Sequence, residues 1–190
     1  MAKDYKFALW CIQDKVGSDN ATINVFVNGT QVGTNLAVVS ESADSPTCLT
    51  VDAPGLADPN SDGSVTAAIK VVLSNNSYVD ASNDRNVWIT NLDYMTKAAD
   101  GKFYALNHTN QSGKTVGDPA EVTDFSDTNL YHFTSLPTAV TGSQIPDDFW
   151  AGALAADSGN GQFYHIPVWG DDDNTGTTIT FPLKTTHGEP

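Results

Sequence analysis

The residues 74–89, "SNNSYVDASNDRNVWI", hold four asparagines, two aspartates and the chain's only arginine between two apolar runs. Asn75, Asn76, Asp80, Asp84 and Asn86 offer hard oxygen donors, the kind calcium prefers. The runs on either side read as strands. The loop ends are therefore held, and Asn76, Asp80, Asp84 and Asn86 are the candidate metal ligands. Arg85 fits beside a cation only if its side chain turns away. Tyr78 and Trp88 are candidate flat apolar platforms for a sugar ring; Trp88 reads equally well as core.

Two other acidic stretches compete for the same chemistry. Asp58-Pro-Asn60-Ser-Asp62-Gly63 opens like a calcium loop, but the twelfth position, where an EF-hand needs a bidentate Glu, is Ile69. A shorter cage or a turn rich in local Asx bonds remains open there. Asp171, Asp172 and Asp173 are consecutive, so their side chains diverge, and a solvated turn is expected. The four histidines show no zinc spacing, and neither a nucleophile elbow nor a phosphate loop is present. Asp is so common that a close carboxylate pair carries little weight for glycoside hydrolysis. A non-enzymatic role is expected.

These residues must be positioned by a chain of 190 residues with formal net charge −14. That length suits one domain, or one with an appendage, and buries about 70% of its unfolded surface without staples. The charge argues against nucleic acid and against anionic membranes as partners. The 20 Asp against 3 Glu, with abundant Asn, Thr, Ser and Gly, favour turns and β-structure over helix. The apolar run 7–12 is too short for a signal-peptide core, which predicts a protein made in the cytoplasm without an export signal. Asn28 and Asn107 begin N-x-S/T sequons, expected to be plain turn residues. Cys11 and Cys48 lie in strand-like runs, which favours two buried free thiols, with a single disulfide left open.

The strands are read from period-two alternation. In "TINVFVNGTQVG", Ile23, Val25 and Val27 face one way, and Asn28-Gly29 predicts a two-residue hairpin. "TCLTV" (47–51) alternates. Ala67, Ile69, Val71 and Leu73 share a face. In "NVWITNLDYM", Val87 and Ile89 are set against Trp88, Thr90, Leu92 and Tyr94. "LYHFTSL", "QFYHIPVWG" and "TTITFPL" read as further strands, and "PDDFWAGALAAD" (146–157) as one short helix. The polar stretch "KAADGK" (97–102) is the best boundary, dividing a core unit, 1–96, from strands and loops at 97–190 that complete it or are appended to it. The expected fold is all-β, an antiparallel β-sandwich of jelly-roll type with long loops.

Asn75-Asn76, the turn Asp84-Arg85-Asn86 and the strand Val87–Tyr94, with the upstream Val-Asn-Gly hairpin, resemble the calcium-dependent, xylan-binding carbohydrate-binding modules over about residues 20–95. The resemblance implies a jelly-roll sandwich and a calcium ion (Ca2+) that binds sugar hydroxyls while carboxylates complete its shell. Asn76 and Asn86 stand where that family carries Asp, and each substitution removes a charge from the cage. The expected function is a non-enzymatic structural protein of a bacterial virus, a capsid decoration protein on the virion surface. Its expected partners are other virion proteins of capsid or tail, with self-association. The alternative is a soluble calcium-dependent lectin module that binds plant or algal polysaccharide. Aromatic-rich 145–190 is the expected source of an assembly surface.

Overall fold

The computed structural model describes residues 3–56, 65–80, 82–97, 103–105, 120–121, 139–142, 154–157, 161–168, 170 and 176–183. Along the first half run β1 (Lys3–Asp14), β2 (Ala21–Val27), β3 (Thr30–Val38), β4 (Thr47–Leu56), β5 (Val65–Leu73), the short pair β6 (Tyr78–Asp80) and β7 (Asn83–Asp84), and β8 (Asn86–Lys97). The second half adds β9 (Phe103–Ala105), β10 (Ala120–Glu121), β11 (Ala139–Gly142), β12 (Leu154–Asp157), β13 (Gly161–Tyr164), β14 (Ile166–Val168) and β15 (Thr177–Leu183). Among the described residues there is no helix, and every paired strand is antiparallel.

Two sheets share one core. The first has the order β10-β9-β8-β1-β4, with β14 also paired to β8; the second has the order β11-β15-β5-β2-β3. Phe7, Leu9, Val51, Val87 and Ile89 of the first sheet pack with Ile23, Val25, Ile69, Val71 and Ile179 of the second in a single buried cluster. Strands from beyond residue 97 thus enter both sheets: β14 lies against the start of β8, and β15 lies between β11 and β5.

Period-two patterning accounts for β2, whose residues alternate between buried and half-buried from end to end. The hairpin at Asn28-Gly29 forms as expected. Both residues have positive φ, 48° and 83°, as a type I′ turn requires, and Gly29 adopts its value without side-chain strain. Asn28 also pairs with β5. Its amide donates to the Ala68 carbonyl at 2.9 Å, and its side-chain oxygen accepts from the Ala68 amide at 2.8 Å.

Alternation misplaces half of β8. The register runs Cys11 opposite Ile89 and then Trp10 opposite Asn91, so Thr90 is an extra residue in the ladder. Its hydroxyl donates to the Trp10 carbonyl at 3.2 Å. A bulge inserts one residue and so reverses the facing of everything after it. Leu92 and Tyr94, expected opposite Val87 and Ile89, therefore turn to the same core. Tyr94 closes a ring cluster with Tyr5 and Phe7, at centroid distances of 6.1 and 6.2 Å.

The helix expected over 146–157 is also corrected at its end. Leu154–Asp157 is a strand, paired antiparallel with Gly161–Tyr164. Leu and Ala have good helix propensity, but propensity is a weak prior beside pairing with a β-favouring Phe-Tyr strand. Residues 146–153 lie outside the described residues, as do "LYHFTSL" and most of the segment 145–190.

The cysteines are free. Trp10 stands opposite Cys48 and Cys11 opposite Thr47, so the two thiols lie on opposite faces of the first sheet. Their bonds to Cβ point apart, which no disulfide tolerates without moving the backbone. Burial raises the Cys11 thiol far above its ordinary range, with the nearby Cys48 adding to it, and pushes Cys48 up to about 11.

Candidate functional site

The loop 74–85 lies where the chain crosses between sheets. β5 belongs to the second sheet and β8 to the first, and the β6–β7 hairpin rises between them. Asn75 is spent on the fold. Its side-chain oxygen accepts from the Thr22 amide at 2.8 Å, and its amide nitrogen donates to the Asn20 carbonyl at 3.0 Å. Asn76 is exposed and packs against Gly170, where an added Cβ would come within 2.7 Å of its amide nitrogen.

Arg85 turns inward. It is only 7% exposed. Its guanidinium donates to the carbonyls of Asn75 at 2.5 Å, Asp19 at 3.4 Å and Val16 at 3.5 Å, while its backbone amide donates to the Ser77 carbonyl at 2.9 Å. Among the described residues no carboxylate forms an ion pair with it. Carbonyl dipoles solvate this buried charge.

On the outer side, Asp14, Lys15, Glu41, Ser82, Asp84 and Asn86 line a cleft of about 260 Å³. Three segments build it. β1 and β8 run antiparallel with Asp14 opposite Asn86, which brings their ends together. The Gln13 amide donates to the Ser40 carbonyl at 2.9 Å and so holds Glu41 alongside. The β6–β7 hairpin supplies Ser82 and Asp84. Lys15 pairs with Glu41. Partial burial raises the Asp14 carboxyl above its ordinary range; a hydrogen bond from Asn86 opposes this, and the charges of Glu41 and Asp84 reinforce it. The Asn86 amide also donates to the Asp84 carbonyl at 3.3 Å.

Two aromatic residues stand close in register to residues of this lining. Tyr78 is opposite Asp84 in the hairpin, and directly opposed residues share a face. Tyr78 is 68% exposed and its neighbour Val79 is 65% exposed. Trp88 lies two residues beyond Asn86 on the outer face of the first sheet, opposite Ile12 and Pro167, and is half-buried.

The six expected site residues therefore divide. Asp84 and Asn86 meet at the cleft, whereas Tyr78 and Trp88 are not part of its lining and are only near lining residues in register, Tyr78 opposite Asp84 and Trp88 two residues beyond Asn86. Asp80 stands at the hairpin tip, where it accepts from the Ser82 amide at 2.8 Å and from the Asn83 side chain at 3.0 Å. The Ser82 amide, then the Asn83 side chain, hold its carboxyl below the ordinary range. Asn76 lies against Gly170. Asp14, Lys15 and Glu41 were not legible as site residues, because only the pairing of β1 with β8 brings them to this loop. The donor set suits a hard cation, but among the described residues no group of three or more His, Cys, Asp or Glu gathers closely enough to hold a metal. The acidic stretches at 58–63 and 171–173 lie outside the described residues. No helix among the described residues is long and apolar enough to cross a membrane. No family model, curated protein or solved structure matches the chain.

Proposed function

We propose that this chain is a non-enzymatic recognition protein whose working face is the cleft and the two aromatic residues beside it, and that its ligand is a polysaccharide. One observation carries the reading: Tyr78 stands in solvent, on the same side of its hairpin as a carboxylate that lines the cleft. An exposed aromatic face next to polar oxygens is the kind of surface that an amphipathic ligand such as a sugar ring stacks on. The likeness of residues 20–95 to calcium-dependent xylan-binding modules supplies the ligand class and, with it, a jelly-roll wiring of the sandwich. Asp14, Glu41, Asp84 and the Asn86 amide line the cleft without gathering closely enough to hold a metal as they stand; a calcium ion would have to draw them together, and its open positions would then take sugar hydroxyls. Lys15 competes for Glu41.

A second reading shares the same observation. The adjacent pair Tyr78 and Val79 also suits a contact with another copy of the chain or with a capsid or tail protein, as in a virion decoration protein. The acidic surface would then keep neighbouring particles apart.

Affinity electrophoresis through xylan and other neutral polysaccharides, with calcium and with chelator, separates the two. Retardation that chelator abolishes, and that Asp84→Ala loses, supports the lectin reading. Unretarded migration, together with chelator-insensitive binding to virus particles lacking this protein, moves the function to assembly. Migration unaffected by any polysaccharide and no binding to such particles refutes both.

A further inference from the structure

Two of the three segments that build the cleft are tied to one side chain. The first wall, Asp14 and Lys15, runs straight into the turn that carries the chain from the first sheet to the second. The second wall, Ser82, Asp84 and Asn86, belongs to the crossing back. We infer that Arg85 is a positioning residue that latches these two crossings into one cooperative unit and so sets the spacing of the cleft walls. The inference does not depend on which ligand the cleft takes.

The hydrogen bonds define the latch. The outgoing turn is closed by a bridge between Val16 and Asp19, and the Arg85 guanidinium binds the carbonyls of those same two residues. The same group binds the Asn75 carbonyl on the returning crossing, and its backbone amide closes the base of the hairpin at Ser77. Asn75 then returns to the outgoing turn through Asn20 and Thr22. Asn20 continues the chain of bonds: its side-chain oxygen accepts from Gln13 at 2.9 Å, and Gln13 accepts from the Ala21 amide at 2.6 Å. Gln13 and Arg85 are both buried, so water is a poor substitute for any of these partners. A planar fork with five donors can serve three carbonyls at once, whereas a lysine ammonium on the same stem cannot reproduce that geometry.

Native-state hydrogen exchange on the full chain tests this. The probes are the amides of Asp19, Thr22 and Arg85, which bond within the latch. The control is the Asn28 amide at the other end of β2. In the wild type, the three probes should open together, with one denaturant dependence and below the global unfolding limit. In Arg85→Lys they should exchange at least tenfold faster while Asn28 is unchanged. Separate openings for the three amides in the wild type overturn the inference. So does loss of protection on one crossing alone, or an equal loss at Asn28. If Arg85→Lys does not fold, the wild-type measurement still decides.

Discussion

Truncation of Tyr78 and of Trp88 separates a ligand platform from a packing residue. Tyr78 is 68% exposed, so about a third of a ring that can bury roughly 200 Å² is removed from water, or about 65 Å². At about 25 cal/mol per Å² this amounts to at most about 1.6 kcal/mol, and the compactness of the unfolded chain lowers it further. Tyr78→Ala should therefore cost about 1 kcal/mol or less. Trp88 is half-buried between Ile12 and Pro167, and its removal leaves a gap in the outer face of the first sheet. Trp88→Ala should cost about 3 kcal/mol, the lower end for large aromatic truncations.

Urea unfolding gives both numbers, and affinity electrophoresis in polysaccharide gels gives the binding. Tyr78→Ala should keep its unfolding midpoint close to wild type and lose at least tenfold in affinity, about 1.4 kcal/mol. Trp88→Ala should lose stability first, with binding measured at temperatures where it is still folded. The reasoning fails if Tyr78→Ala destabilises as much as Trp88→Ala, because the ring would then be packed in solution. It also fails, for the lectin reading, if wild-type retardation is seen and Tyr78→Ala retains it in full.

Gly176 sits at φ 53°, and a Cβ there would lie 2.5 Å from the Val71 carbonyl oxygen and 2.6 Å from a Val72 methyl. Gly176→Ala should cost about 2–5 kcal/mol by urea unfolding, against about 1 kcal/mol for Gly17→Ala, where φ is also positive but nothing lies within 4 Å. The raised Asp14 carboxyl implies a penalty on the folded state that is present above its folded midpoint and fades as pH falls, vanishing below the ordinary Asp value of about 3.9. Asp14→Asn should thus melt no lower than wild type at neutral pH, with any advantage gone in acid; a variant markedly less stable at pH 7 would contradict this. Neither thiol should react with a chromogenic disulfide reagent in the native protein, since both are held protonated at neutral pH, and both should react in denaturant.

The strands of the first half were largely legible because burial there obeys one rule, alternation, that each residue reports locally. β2, β5 and β15 lie where their patterns put them, and Asn28-Gly29 announces its own turn chemistry. Alternation fails where one residue is inserted. Thr90 carries no mark of a bulge in its own neighbourhood, because the irregularity exists only relative to β1. The stretch 154–157 fails for a similar reason, since its strand is made by pairing with 161–164 against its own helical preference. The cleft shows the limit most clearly. Asp84 and Asn86 stand out in sequence because they cluster, whereas Asp14 and Glu41 are isolated acids that a strand register and one backbone hydrogen bond from Gln13 bring to them.

The dense polar loop between two apolar strands is explained by the division of labour within Asp84-Arg85-Asn86. Successive side chains of extended chain point to opposite sides. Asp84 and Asn86 line the cleft, and Arg85 between them is buried among carbonyls. The same alternation that sorts apolar from polar residues in a strand here sorts charge: acid and amide outward to the cleft, cation inward to the chain's own carbonyls. An acid in place of Arg85 would leave its carbonyl partners facing a negative group, and an arginine in place of Asp84 would remove an acid from the cleft lining. The asparagines follow the same division. Asn75 faces the fold and replaces a missing backbone partner for Thr22, while Asn86 faces the cleft and bonds Asp14. The composition of the loop is thus set by two demands that meet in one segment: closing a crossing between sheets, and presenting oxygen to solvent beside an exposed ring.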